Sequence, residues 1–386
     1  KAQVVIANPA GISCDGCGFI NANRATLTTG QPQMKNGSLT GFSVERGEIQ
    51  VTGKGMDASR TDYTDIIARS VKINAGIQAQ DLKVTTGRNN VDIAHGQTEK
   101  KTGDASSLPQ MALDVASLGG MYAGKIRLVG TETGVGVRNA GHIGAQAGAV
   151  TLTADGRIEN SGSISAKTDV HLATTRELHN SGSVYAGQDT QIQSDGAFSH
   201  TGSVASRRNT RIQTARLTGG ERSLLAAGVK DDGRLAAAGN LTVSATGELA
   251  AHGQVLSGGD MQLKGQGLDL SNSRIQGQHT ELDAGSGNLS TQNAQLSVGT
   301  LSARTAGQFS NNGGTINADT LQISAQSLSN RKGSLIQTGT GDFSLNLPGG
   351  VDNREGLLAA NGAVRLDALS LDNRRGKVQA AQSGSL

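Results

Sequence analysis

Tryptophan is absent from the 386 residues, and the other aromatics are scarce, with 3 Tyr and 5 Phe. Large rings bury the most area per side chain in a thick globular core, so an interior of that kind is excluded. Leu, Ile, Val and Phe together number 81, about 21% of the chain, close to the ~20% at which a chain is suspected of disorder. The companion sign of disorder, a large net charge, is missing: 35 Lys and Arg against 32 Asp and Glu leave +3. No apolar run approaches the ~20 residues of a membrane-spanning helix. The basic residues are scattered, with no aromatics between them, which argues against a nucleic-acid partner. Pro (4) and Cys (2) are also few. No charged-then-apolar leader opens the sequence at Lys1, so the chain reads as a segment of something longer.

Gly is abundant, at 55 residues, roughly twice the usual ~7%, and it recurs at a fixed interval. From Val137 onward an apolar residue is followed two positions later by Asn, often by Gly two further on, then by a short aliphatic strand. Val137-Arg-Asn-Ala-Gly-His-Ile143, Ile158-Glu-Asn-Ser-Gly-Ser-Ile164 and Leu178-His-Asn-Ser-Gly-Ser-Val184 show it plainly. Further starts fall at Phe198, Leu217, Leu249, Leu270, Leu289, Phe309, Leu328, Val351 and Leu371, and all but one of the steps lie between 19 and 23 residues. The longer step, 32 residues, holds an insertion near 226–238 with Asp231-Asp232-Gly233 as its turn. Within each repeat Val150-Thr-Leu-Thr and Thr190-Gln-Ile-Gln alternate with period 2, the mark of a strand with one inward face.

One such coil cannot bury its own inner face; stacked coils can, each strand pairing with the same strand of the next, about 4.8 Å along. The expected fold is therefore all-β, a parallel β-helix of ~20-residue coils, right-handed by the general crossover preference. A narrow column lined by Val, Ile, Leu, Ala and Ser, with Gly and Asn at its corners, accounts for the composition. Asn occupies the second place of the repeat at Asn139, Asn160, Asn180, Asn272, Asn311, Asn330, Asn353 and Asn373. These form either a stacked amide ladder or a set of independent turn residues; turn chemistry alone would accept Asp or Ser more often, which favours the ladder. His200 takes the Asn place of its coil.

Before about residue 135 the spacing loosens. Strands are read at Gln3–Asn8, Ala25–Thr29, Ile49–Val51, Val71–Ile73 and Leu82–Val84, and Gly96–Pro109 is a polar excursion. The segment Val4-Val-Ile-Ala-Asn-Pro-Ala-Gly-Ile-Ser-Cys-Asp-Gly-Cys-Gly-Phe-Ile-Asn21, followed by Arg24-Ala-Thr-Leu-Thr-Thr-Gly30, resembles the secretion domain of bacterial two-partner secretion exoproteins. These are the filamentous haemagglutinins, haemolysins and contact-dependent growth inhibition proteins of the CdiA type. Met121–Val129 and Gly136–Gly141 resemble the join between that domain and the haemagglutinin repeats, and the later coils resemble the repeats themselves.

The resemblance implies a secretion region over 1–135 and a β-helical stalk over 136–386. It implies export through an outer-membrane β-barrel transporter of the TpsB or CdiB type, a place at the surface of a Gram-negative cell, and a target-cell receptor met by regions outside this chain. The family's Asn-Pro-Asn-Gly-Ile motif, tied to folding and transporter recognition, reads here Asn8, Pro9, Ala10, Gly11, Ile12, so Ala10 departs from it. An upstream Asn-Pro-Asn-Leu motif of the family is not in the chain, and the first coils are expected to be missing. Open strand edges at the N-terminus and at Leu386 would promote end-to-end self-association.

Cys14 and Cys17 allow three readings. A metal site would need two more ligands, a redox pair would need an activating environment, and a structural disulfide suits a secreted protein. The growth-inhibition and haemolysin branches of the family carry such a pair, which tilts the resemblance toward CdiA-like proteins. No cofactor and no metal are expected. The seven His show no metal spacing and no nucleophile elbow is present, so the chain is read as a non-enzyme. An adhesin or a haemolysin of the same pathway is the alternative, and a carbohydrate-active β-helix, which would gather acidic residues along one lateral groove, is the remote one.

Overall fold

Stacking of short strands accounts for almost all of the structure, a computed structural model that describes residues 2–102 and 107–382. The middle of the polar excursion (103–106), Lys1 and the terminal Leu386 lie outside the described residues. No helix occurs among those described. Two compact units divide the chain, Lys1–Gly196 and Ala197–Leu386.

In the first unit each coil hydrogen-bonds in parallel to the next, and three inward columns run through it. One column is Ala25, Thr64, Leu82, Ile126, Val150, Val170 and Thr190. A second is Met56, Ile77, Met121, Ile143, Ile164 and Val184. The third begins with Cys14, Val51, Ile73 and Val115 and continues as Asn139, Asn160 and Asn180. All seven members of this third column are buried. Each aliphatic member contributes about 1.5–3 kcal/mol of burial, so medium-sized side chains suffice for a column this narrow.

A second, antiparallel sheet lies outside the coils of this unit. Gln31–Lys35 and Ser38–Val44 form a hairpin whose turn is Asn36 (φ 50°) and Gly37 (φ 77°), the left-handed pair that a two-residue turn requires. Asn89–Asp92 adds to Ser38–Val44, and Thr98–Lys100 adds to Asn89–Asp92. Phe42, Val44 and Val91 pack on Ile67, which belongs to the coil strand Glu48–Ala68. The polar excursion therefore supplies one strand of a lateral sheet; the other three come from residues 31–44 and 89–92.

In the second unit the inward repeat position runs Leu217, Leu249, Leu268, Leu289, Phe309, Leu328, Val351 and Leu371. This corrects one register. The repeat start read at Leu270 lies at Leu268, and Leu270 itself takes the place of the ladder residue, fully buried. A shift of two residues preserves inward alternation, so the periodicity tolerated both choices. Asn272 consequently leaves the ladder: it is an exposed corner residue at φ 62°. The insertion folds as a small hairpin, with Val229 bridged to Leu235 and the Gly233 amide donating to the Lys230 carbonyl (2.8 Å).

Candidate functional site

The motif at the N-terminal end is a turn closed by Asn8. Its side-chain Oδ1 accepts from the Ala10 amide (3.1 Å), its carbonyl accepts from the Gly11 amide (3.1 Å), and its own amide donates to the Thr28 carbonyl (2.9 Å). Gly11 stands at φ 135°, and a Cβ there would lie 2.9 Å from the Glu48 carbonyl oxygen of the next coil, so only Gly fits. Ile12 pairs with Ile49 and is half-buried. Pro9 is half-buried, while Asn8 and Ala10 are exposed. The turn thus presents a polar side chain and a fixed backbone to solvent on a corner braced from below.

Directly after it, Cys14 and Cys17 are joined as a disulfide, with Cα atoms 5.5 Å apart. The bond spans a bulge at Asp15 and Gly16, where the ladder to strand Glu48–Ala68 slips. That partner strand bulges too, and the Lys54 amide donates to Asp15 Oδ1 (2.8 Å). Two stacked bulges are stapled on one side. No group of three or more His, Cys, Asp or Glu is placed to hold a metal among the described residues.

Seven of the eight repeat Asn residues lie in two ladders, one in each unit. Asn139 Nδ2 donates to Asn160 Oδ1 and Asn160 Nδ2 to Asn180 Oδ1, each at 2.8 Å. In the second unit Asn311 donates to Asn330 (2.8 Å), Asn330 to Asn353 (2.8 Å) and Asn353 to Asn373 (2.7 Å). Thr291 starts that second run by donating to Asn311 Oδ1 (2.8 Å). Each of these donating amides also reaches a backbone carbonyl, as Asn160 does to Ser183 (3.2 Å) and Asn330 to Leu357 (3.1 Å). His200 does the same with Nε2 and the Leu224 carbonyl (2.9 Å). The corner Gly is part of the device, since a Cβ at Gly333 would collide with the Asn311 carbonyl. Asn139 is the lowest rung, and its buried Oδ1 has no partner because Val115, one coil below, offers no donor.

A charged network absent from the sequence reading fastens the lateral sheet. Asp65 is buried and accepts from Arg24 Nη1 (2.7 Å) and Thr26 (3.3 Å), and it pairs with His95 Nδ1 (2.9 Å). His95 Nε2 meets the Thr85 hydroxyl at 2.6 Å, and the Arg24 guanidinium lies 4.7 Å from the centre of the Tyr63 ring. Glu45 binds both Arg88 (2.6 Å) and Lys101, whose hydrogen bonds hold its carboxyl below the ordinary value. Arg69–Glu132 (2.8 Å) and Lys100–Asp155 (2.6 Å) tie further segments together. The ion-pair partners stand 30 to 63 residues apart in the chain, and no local pattern announces them.

The second unit carries an open groove of about 520 Å³. Asp260 and Glu281 line it, and each carboxylate already has a neighbour: Asp260 takes His279 Nδ1 (3.1 Å) and Glu281 takes Gln262 (3.1 Å). No Phe, Tyr or Trp lines it.

Comparison with known proteins adds two family matches. The TPS secretion domain matches residues 1–160, and the haemagglutinin repeat matches 162–245, 229–313, 284–346 and 338–386. A toxin CdiA of Yersinia pestis is 47% identical over 95% of this chain, which spans 11% of that protein. The tRNA nuclease CdiA-2 of Burkholderia pseudomallei (strain 1026b) is 51% identical over 43% of the chain, which spans 5% of it. The crystal structure of a filamentous haemagglutinin secretion domain is similar at 28% identity and a TM-score of 0.42, covering 50% of this chain and 64% of that one. The chain therefore corresponds to about a tenth or less of the length of these curated relatives.

Proposed function

The chain belongs to the exoproteins of two-partner secretion, and from that premise we propose a division of labour along it. Proteins of this kind are secreted to the surface of Gram-negative cells. Residues 1–135 direct export through an outer-membrane β-barrel transporter of the TpsB or CdiB type. Residues 136–386 are the stalk that carries a distal toxin toward target cells in contact-dependent growth inhibition, with receptor contact made by regions beyond these residues. The change of the third column from apolar to amide at Asn139 carries this reading, since the lateral sheet also ends before Met111. Catalysis is assigned to none of these residues; the nuclease activity in the names of the relatives goes with parts of them that this chain does not match.

Within the secretion region, Asn8, Pro9, Gly11 and Ile12 form the corner the transporter recognises, and the Cys14–Cys17 disulfide keeps the neighbouring bulge in shape. The open edge of strand Ala2–Ala7, with Val5 and Ile6 exposed, supports pairing with a second copy. Coils that template one another as they emerge oppose backsliding, which gives export a direction without ATP.

The test is secretion from a Gram-negative host, the chain carrying a cleavable export signal, with and without the transporter. The chain should reach the medium only when the transporter is present, and Gly11→Val should reduce release at least tenfold while Asn272→Gly leaves it unchanged. Equal release without the transporter would overturn the assignment.

A further inference from the structure

The lateral sheet covers one flank of the coils, and most cations around it are paired: Arg24 with Asp65, Arg69 with Glu132, Arg88 and Lys101 with Glu45, Lys100 with Asp155. Lys83 and Arg127 differ. They are register partners on adjacent coils, one strand spacing apart (~4.8 Å), and neither side chain has a hydrogen-bond or ion-pair partner among the described residues. Asp65 is the register partner of Lys83 on the other side, but its carboxylate is bound by Arg24 and His95. Two cations are thus held side by side with their charge unmet.

They line a pocket of about 220 Å³ together with Thr85, His95, Thr98 and Thr131. The volume is below the roughly 300–1,000 Å³ of drug-sized ligand sites, which suits an ion better than an oligosaccharide. Thr98 adds a hydroxyl donor, whereas the Thr131 hydroxyl already donates to Asn89 Oδ1 (2.6 Å), and Arg127 adds a planar fork beside the point charge of Lys83. A neutral occupant would leave the two charges facing each other. A carboxylate would balance one of them, whereas a phosphate monoester carries about −1.5 to −2 at neutral pH and balances both.

We propose that this pocket binds a tetrahedral oxyanion, a phosphate or phosphate monoester, between Lys83 and Arg127. The site is separate from the Asn8–Ile12 turn and does not depend on the export reading. Its source is either free phosphate or a phosphate-bearing headgroup at a membrane surface.

The full chain is titrated calorimetrically with inorganic phosphate at constant ionic strength, with chloride as the compensating anion. Binding at one site with a dissociation constant at or below about 1 mM is expected. K83Q/R127Q should weaken it at least tenfold, K83R/R127K should retain it, and K125Q, which removes a charge from the same strand outside the pocket, should leave it unchanged. No saturable heat with the wild type, or equal weakening by K125Q and K83Q/R127Q, would overturn the proposal. Where the double variant fails to fold, T98V should weaken binding severalfold without removing either charge, and unaltered affinity in T98V together with K83R/R127K failing to bind would overturn the site. Vesicles of phosphatidic acid and of phosphatidylcholine separate the sources. Sedimentation with the former alone, reversed by free phosphate, identifies a headgroup; phosphate binding without sedimentation identifies the free ion.

Discussion

The coils before residue 130 and those after 136 share a backbone plan and differ in what holds them. In the earlier region the third inward column is Cys14, Val51, Ile73 and Val115, and the flank is fastened by buried and half-buried ion pairs around the antiparallel sheet. Later the same column is Asn139, Asn160 and Asn180, with no lateral sheet beside it among the described residues. The comparison teaches that a thin solenoid has two sources of register. An apolar column says only that a residue faces inward and tolerates a slip of two positions, so charge pairs across the flank must fix the alignment. An amide column bonds rung to rung and fixes its own register. Cost follows the same division, since ion pairs are specific but depend on desolvation, whereas each rung adds about 1 kcal/mol provided none is left open.

Breaking the flank should have the largest effect. Asp65→Ala leaves Arg24 and His95 facing a buried void, and a loss of about 3–5 kcal/mol is expected in urea unfolding. Breaking the column comes next. Asn160→Val removes the acceptor of one Asn139 Nδ2 hydrogen and the donor to Asn180 Oδ1 in the interior and should cost about 2–3 kcal/mol. Converting one kind of column into the other sharpens the comparison. Val115→Asn would supply the donor that Asn139 Oδ1 lacks, so its cost should stay within about 1 kcal/mol, well under that of an isolated buried amide. A cost equal to that of Ile73→Asn would show that the ladder does not extend by stacking.

The smallest effect is one of pH. Glu45 is held below its ordinary value of 4.5 by hydrogen bonds from Lys101 and Arg88. A carboxyl depressed on folding stabilises above its unfolded value and loses that contribution as the pH falls through the folded one. Its side chain is nearly half exposed, so screening limits the effect to a few tenths of a kcal/mol. Thermal melts of wild type and Glu45→Gln should differ slightly at pH 7 and converge once the pH has dropped below 4.5 and through the depressed value.

Much of the coil plan was legible because it repeats: a 20-residue step and period-2 strands are long-range order written locally. The amide column was legible for the same reason, except at Asn272, where Leu268 and Leu270 are both apolar and two apart. The hairpin at residues 31–44 had a local sign, the Asn36-Gly37 pair between alternating residues, that a search for the 20-residue period passes over. Strand Thr98–Lys100 is short and fully exposed, with no apolar pattern to mark it. The Arg24–Asp65–His95 network joins three segments through tertiary contact alone, and nothing in the residues around each predicts its partner. What lies outside the repeat is legible only when it has turn chemistry of its own.

Hydrogen exchange measured segment by segment on wild type, Asp65→Ala and Asn160→Val tests the central claim most directly. Asp65→Ala should lose protection in residues 22–100 and keep it in 136–186, and Asn160→Val should do the reverse. Loss of protection over the same segments in both variants would contradict the account, because the two regions would then be held by one shared set of interactions.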